Sequence, residues 1–273
     1  MSLPAHFIFT QSNLQDFAEC RRRFQLRYLD RLAWPAIESE PALENELRLN
    51  DGNRFHRFVH QHQIGIPGEN ISRMAQEAGL SVWWQNYLAN QPVGVPEQRW
   101  PEFAISSPFE GYRLSAKYDL LAVAPGERMV IVDWKTSIRQ PKREWLTERL
   151  QTRVYPFLLV EAGATLNGGR EVHPDQIEMI YWYAEFPGQE IRFPYSASQY
   201  RQDREVLAGL IGTIARLAVD EFPLTTDKRR CLFCPYRSLC DRGGSAGEAA
   251  DWEDRWEGDQ GDAPLEQITE TEF

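Results

Sequence analysis

The stretch IVDWKTS, residues 131–137, places an acid and a base two positions apart at the end of an apolar run. With the period-2 alternation of a strand, Asp133 and Lys135 share one face, and Val132 and Trp134 the other. The chain holds only four lysines, so the pairing is not a by-product of a lysine-rich composition. Just upstream, RLSAKYDLLAV (residues 113–123) sets Asp119 inside a β-type run, where an unpaired carboxylate is costly. Two carboxylates and a lysine at neighbouring strand ends could hold Mg2+ or Mn2+, hard cations that take oxygen ligands. Such a cation activates a bound water and offsets charge on a phosphoryl oxygen, and Lys135 could orient that water or offset the same charge. The plainer alternative is an Asp119–Lys135 ion pair at a sheet end.

Further polar residues fall where such a site would use them. DGNRFHRFVH (51–60) carries Gly52 and His56 in a G-x-x-x-H spacing on a helix, with His60 one turn on as a rival on the same face. Imidazole is a good Mn2+ or Fe2+ ligand, although a lone helical histidine is more often an ordinary surface or core residue. RWPEFAIS (99–106) supplies Glu102, and RLQTRVYPFLL (149–159) supplies Gln151 and Tyr155 at i and i+4. Taken singly, these three read as surface or packing residues.

Three of the four cysteines lie in KRRCLFCPYRSLC (228–240), as Cys231, Cys234 and Cys240, and the fourth is Cys20. Clustered thiols in a reducing compartment favour metal over disulfide. All four together would ligate an iron–sulfur cluster by thiolates alone. A four-cysteine zinc site and a plain core role for Cys20 are the alternatives, since zinc is more often signalled by two C-x2-C pairs.

The elements that must position these groups follow from periodicity. Helices are expected over about 12–32 (opened by a Ser12–Gln15 capping box), 45–63, 70–90, 143–163 (kinked at Pro156) and 198–221. Strands are expected over 98–106, 111–124, 128–135, 176–185 and 189–195. Cys20 falls on the apolar stripe of the first helix, with Leu14, Phe17, Phe24 and Tyr28. The central order α, β, β, β, α, β predicts an α/β protein of the α+β type, a mixed sheet with flanking helices rather than a doubly wound sheet.

G-x-x-x-H, then Glu, then Asp, then D-x-K, then Q-x-x-x-Y, in that order over residues 52–155, resembles the RecB-like branch of the PD-(D/E)xK nuclease superfamily. The cysteine framing extends the likeness to residues 7–242 and is similar to the iron–sulfur nucleases of that branch. These are the CRISPR-associated exonucleases that trim new spacers and the nuclease domains of recombination helicase–nucleases. The resemblance implies a restriction-endonuclease-like αβββαβ core with N- and C-terminal helices joined by a 4Fe–4S cluster on Cys20, Cys231, Cys234 and Cys240. It implies His56, Asp119 and Asp133 as Mg2+ or Mn2+ ligands, Glu102 supporting them, Lys135 as the catalytic lysine, and Gln151 and Tyr155 along the DNA path. Tyr118 stands where the superfamily's name has proline, Ala116 where glycine is common, and Asp133 where glutamate is allowed.

Composition narrows the rest. The net charge is -10, yet residues 248–273 hold ten acids and one base, so residues 1–247 carry 30 acids and 29 bases. Bases cluster at Arg21, Arg22, Arg23, Arg27 and Arg31, at Lys135–Arg153, and at Lys228–Arg242, and arginine suits phosphate. The expected organisation is one nuclease domain over 1–247 and an acidic, disordered tail over 248–273. Trp252 and Trp256 lie in that tail. MSLPAHFIFT lacks a basic n-region before an apolar core and mean hydropathy is -0.52, so a cytoplasmic protein with neither signal peptide nor membrane span is expected. No Gly-Lys pair occurs, so no P-loop motor is built in. Single-stranded or frayed DNA ends, with a helicase or integrase alongside, would suit such an enzyme. A non-catalytic DNA-binding or scaffold subunit, or a zinc-stapled interaction module, are the other classes the residues allow.

Overall fold

The computed structural model describes residues 3–4, 6–32, 40–218, 221–232 and 234–243, with the backbone alone over 40–46. The acidic segment 248–273 lies outside the described residues, as do Trp252 and Trp256. Strands β2 (Gln98–Phe109), β3 (Tyr112–Ala124) and β4 (Arg128–Lys135) form an antiparallel meander. Its first hairpin turns on two residues, Glu110 (φ 50°) and Gly111 (φ 78°), the left-handed pair that matches strand twist. β5 (Ile177–Tyr183) returns parallel to β4, β6 (Ile191–Pro194) pairs antiparallel with β5, and short β1 (Ile8–Phe9) runs parallel to β3. The six strands make one mixed sheet in the order β1-β3-β4-β5-β6, with β2 along the other edge of β3. The expected αβββαβ succession is present as α3 (Glu40–Gln63), β2, β3, β4, α7 (Leu150–Ala162) and β5. β1 was not anticipated, because two residues give no periodicity.

β4 is buried on both faces, as a central strand with an unbroken apolar run should be. Alternation divides it between two layers. Val130, Val132 and Trp134 face a layer with Phe55 and Val59 of α3, Ile71 of α4 (Gly68–Glu77), and Trp84 and Tyr87 of α5 (Ser81–Ala89). Met129 and Ile131 face the other, packed with Val154, Phe157 and Leu158 of α7 and with Leu207 and Ile211 of α8 (Ala197–Arg216). Among the described residues no helix is long and apolar enough to cross a membrane.

Several helices differ from expectation. The first is capped by Thr10 with Asn13, not by Ser12 with Gln15, and runs as α1 over Gln11–Glu19. It breaks at Cys20, which is extended (φ -157°, ψ 108°), so Cys20 sits between helices instead of on a continuous stripe. The chain resumes as α2 (Arg21–Phe24) and a π-helical turn (Gln25–Leu29), from which Arg27 and Tyr28 reach back to Asp16, both at 3.1 Å. The third helix splits into α4 and α5 around Gly79, whose φ of 75° no other residue type adopts readily. The helix over 143–163 is interrupted at Arg149 (ψ 138°), between α6 (Arg143–Glu148) and α7, while Pro156 lies within α7. The last helix ends at Arg216, short of residue 221.

The cysteine-bearing segment packs back on the first helices. Phe222 stacks on Phe24 at 6.2 Å, Cys234 and Tyr236 bury against Leu26, and the Tyr236 hydroxyl donates to the Leu32 carbonyl at 3.2 Å.

Candidate active site

The site occupies a fault shared by three strands. On β3, Leu114, Ala116 and Tyr118 face the α7 layer, but so do Leu121 and Val123, so the alternation changes phase across Asp119 and Leu120. Opposite, the β2–β3 ladder skips Glu102, between the Pro101–Leu120 and Phe103–Tyr118 pairs. Glu102 has φ 54°, a left-handed conformation that costs a non-glycine residue about 1–2 kcal/mol. The β3–β4 ladder likewise ends at Leu120–Val132. In its place the Asp119 carboxylate accepts the Trp134 backbone N–H at 2.8 Å. Side chains thus stand where backbone pairing lapses, and the carboxylates turn into the gap.

His56 reaches this gap from α3, with Nδ1 3.4 Å from Asp119 Oδ1. His56, Glu102 and Asp119 offer ligand atoms that all lie within 4.8 Å of one another. His60 is not part of this cluster among the described residues. Glu102 is ion-paired with Lys117, a residue the motif order does not single out. Its signal was present all the same: Lys117 stands two before Asp119 on one strand, as Asp133 stands two before Lys135.

Asp133 and Lys135 share a face as alternation requires, with Lys135 Nζ 2.8 Å from Asp133 Oδ2. Gln151, from the first turn of α7, clamps the pair. Its Nε2 donates to Asp133 Oδ1 at 2.6 Å and its Oε1 accepts from Lys135 Nζ at 3.2 Å. All three are buried. The buried Asp133 Oδ2 has the Lys135 ammonium as its partner. Tyr155 lies beneath, donating its hydroxyl to the Lys117 carbonyl at 3.0 Å while its own carbonyl accepts from Tyr118 at 2.9 Å. Gln151 and Tyr155 therefore form the floor of the site rather than an exposed strip.

Electrostatics drive the two aspartates apart. Burial raises the Asp133 carboxyl, and with Asp119's charge adding and Lys135 opposing it is pushed up to about 6. Asp119 is also penalised by burial, but His56, the Trp134 N–H and Lys135 outweigh that and hold it low. Burial works against protonated His56 as well, yet Asp119 raises it overall. A divalent cation would relieve this crowding of carboxylates. One imidazole nitrogen and the carboxylate oxygens of Glu102 and Asp119, converging within 4.8 Å, fit a hard cation.

The arginine clusters are largely spoken for. Arg23 is 3% exposed and ion-paired with Asp16 (2.7 Å) and Glu19 (2.5 Å), Arg149 reaches Glu19 (3.3 Å), and Arg153 reaches Asp203 (2.7 Å). Arg21, Arg31, Arg139, Lys142, Arg143, Lys228, Arg229 and Arg230 keep exposed positions.

The four cysteines are free thiols. Burial raises Cys231, Cys234 and Cys240, and in each the charge of Cys20 adds to the rise, so the remote cysteine faces the trio. Arg22, Arg23 and Arg242 act in the opposite sense and favour thiolates. No three of the four sulfurs come within 4.8 Å of one another among the described residues.

A family profile described as the PD-(D/E)XK nuclease superfamily matches residues 8–241. The chain belongs to this superfamily. Tyr118, directly before Asp119, packs its ring on Tyr155 (5.1 Å, 70°). Two solved structures are similar in part. A protein from Eubacterium rectale assigned as an exonuclease is 11% identical with a TM-score of 0.47, over 76% of this chain and 79% of that one. The protein SSO0001 is 14% identical with a TM-score of 0.38, over 85% of each. No curated protein matches the chain.

Proposed function

We propose that this PD-(D/E)XK nuclease is a Mg2+- or Mn2+-dependent deoxyribonuclease, hydrolysing phosphodiester bonds at single-stranded or frayed ends. The observation that carries the reading is the Asp133–Lys135–Gln151 clamp set beside the His56–Glu102–Asp119 cluster. His56, Asp119 and Asp133, supported by Glu102, would hold the cation. When bound, it supplies an activated water and charge for a phosphoryl oxygen. Lys135 keeps its ammonium in the same pocket, aimed by Gln151, where it offsets charge developing on the phosphate. Gln151 and Tyr155, both buried, set the floor beneath the site that the DNA path would cross. Exposed Arg139, Lys142 and Arg143 follow directly on the D-x-K strand and would track neighbouring phosphates.

On the same reading, residues 1–247 form one nuclease domain. Cys20, Cys231, Cys234 and Cys240 hold a 4Fe–4S cluster, a reading supported by the all-thiol donor set, with Cys20 facing the trio, and by its arginine surroundings. With no P-loop in the sequence, a helicase or integrase partner would deliver the ends, in recombinational repair or CRISPR adaptation.

The test is Mn2+-dependent degradation of labelled single-stranded DNA, with EDTA as control. Lys135→Ala is expected to lower cleavage by at least about a thousandfold, with DNA affinity retained. Cleavage by that variant at the wild-type rate would overturn the assignment.

A further inference from the structure

α7 supplies Gln151, yet it begins without a cap of its own. Arg149 precedes its first residue and makes no side-chain capping bond. The orphan N–H of Leu150 is taken instead by a residue of α1: Gln15 Oε1 accepts it at 3.1 Å. The same Gln15 amide donates Nε2 to Glu19 Oε1 at 2.9 Å. Glu19 also receives Arg149 at 3.3 Å, Arg23 at 2.5 Å and Arg230 at 3.4 Å, with its side chain 13% exposed. The start of α7 is therefore held on both sides of one peptide unit, Arg149 by its guanidinium and Leu150 by its N–H. The next residue along is Gln151.

We propose that Gln15 and Glu19 are positioning residues for the nuclease site, acting through α7 on the Gln151 clamp. The inference rests on the reading of Asp133 and Lys135 as site residues. Gln151 must satisfy two partners at once, at 2.6 and 3.2 Å, from a side chain in the first turn of a helix. That turn is where helices fray, and a displacement of about half an ångström is enough to spoil such a clamp. Gln15 and Glu19 anchor the turn from outside the helix. Arg230 makes the cysteine segment a third party to the same carboxylate, so disorder there reaches the site by way of Glu19.

Neither residue belongs to the motif order, and neither touches the cation-binding cluster. Their effect must pass through geometry rather than substrate contact, and that separates them from residues of the DNA path. Replacing Gln15 should leave DNA bound and misplace Lys135.

The experiment compares the full chain with Gln15→Leu, which removes both the acceptor for Leu150 and the donor to Glu19 at similar size. Cleavage of single-stranded DNA in Mn2+ gives kcat and KM, anisotropy gives DNA affinity, and 15N NMR of the metal-free protein reads the Gln151 side-chain amide. Gln15→Leu is expected to lower kcat about 10- to 100-fold with KM and DNA affinity within about twofold, and to move the Gln151 amide resonance. An unchanged Gln151 resonance with unchanged kcat in Gln15→Leu would overturn the inference. So would a kcat loss matched by a fallen melting point with the Gln151 resonance unmoved. A wild-type protein that cuts no DNA would instead overturn the nuclease reading, while the amide resonance would still judge the anchor.

Discussion

Cation affinity of the free protein should climb steeply between pH 5 and pH 8. Asp133 and His56 must both give up a proton before their atoms can face a cation, and the structure raises both. The Asp133 carboxyl stands at about 6, chiefly through burial. His56 stands above its ordinary 6.5, because Asp119 outweighs the opposing effect of burial. Asp119 is held low and stays ionised throughout, so it adds no slope. Protons compete by a factor of one plus ten to the power (pKa − pH). At pH 5 this is about tenfold for Asp133, and His56, raised above its ordinary value, adds a further loss in the same direction. The sign is fixed: affinity is lost as pH falls through these values and is full above them. Calorimetric titration of Mn2+ into DNA-free protein at pH 5, 6, 7 and 8 measures it. His56→Gln should bind more weakly overall and keep only the tenfold span due to Asp133. A wild-type span under about threefold, or the full span surviving in His56→Gln, would refute the reasoning.

Two further predictions concern the rest of the molecule. Arg23→Leu strips the cation from Asp16 and Glu19, which keep Arg27 and Arg149 as partial cover, and should cost about 3 kcal/mol at pH 7 in urea denaturation. Despite burial, which raises it, Glu19 is held below 4.5 chiefly by Arg23, so its stabilising share is present above that pH and lost as pH falls; the variant's deficit should shrink in acid, and a pH-independent deficit would count against the assignment. Protein purified without oxygen should be brown, with a broad band near about 400 nm and about four irons per chain. A colourless protein holding one zinc would remove the cluster and leave the nuclease site untouched.

The active-site chemistry was legible where it follows alternation. Asp133 and Lys135 share a strand face in any β reading, and they meet at 2.8 Å. His56 was legible by spacing, and the structure joins it to Asp119 while leaving His60 out. Breaks in regular structure were harder to see. Nothing in the apolar stripe of the first helix shows that Cys20 leaves the helix, because the residues on either side keep helical spacing. Pro156 drew attention from Arg149, whose side chain has no helix-breaking chemistry and whose break depends on Glu19, more than a hundred residues away. The left-handed Glu102 was invisible for the same reason: a non-glycine residue shows no taste for that conformation until a tertiary site holds it there. Reading charge clusters as phosphate contacts also overcounted, since Arg23 and Arg149 spend their charge on internal acids.

The fault in the sheet also bears on synthesis. Its parts leave the ribosome far apart in time: His56 first, then Glu102, Asp119 and the Asp133–Lys135 pair, then Gln151, and last the β5 residues Tyr181, Trp182 and Tyr183 that fix the end of β4. Domains assemble as units as the chain emerges. No nascent chain ending before β5 can hold Lys135 against Asp133 in a paired strand. On the proposed function, a partly made copy would lack the paired strand that holds Lys135, and cleavage would await the finished sheet.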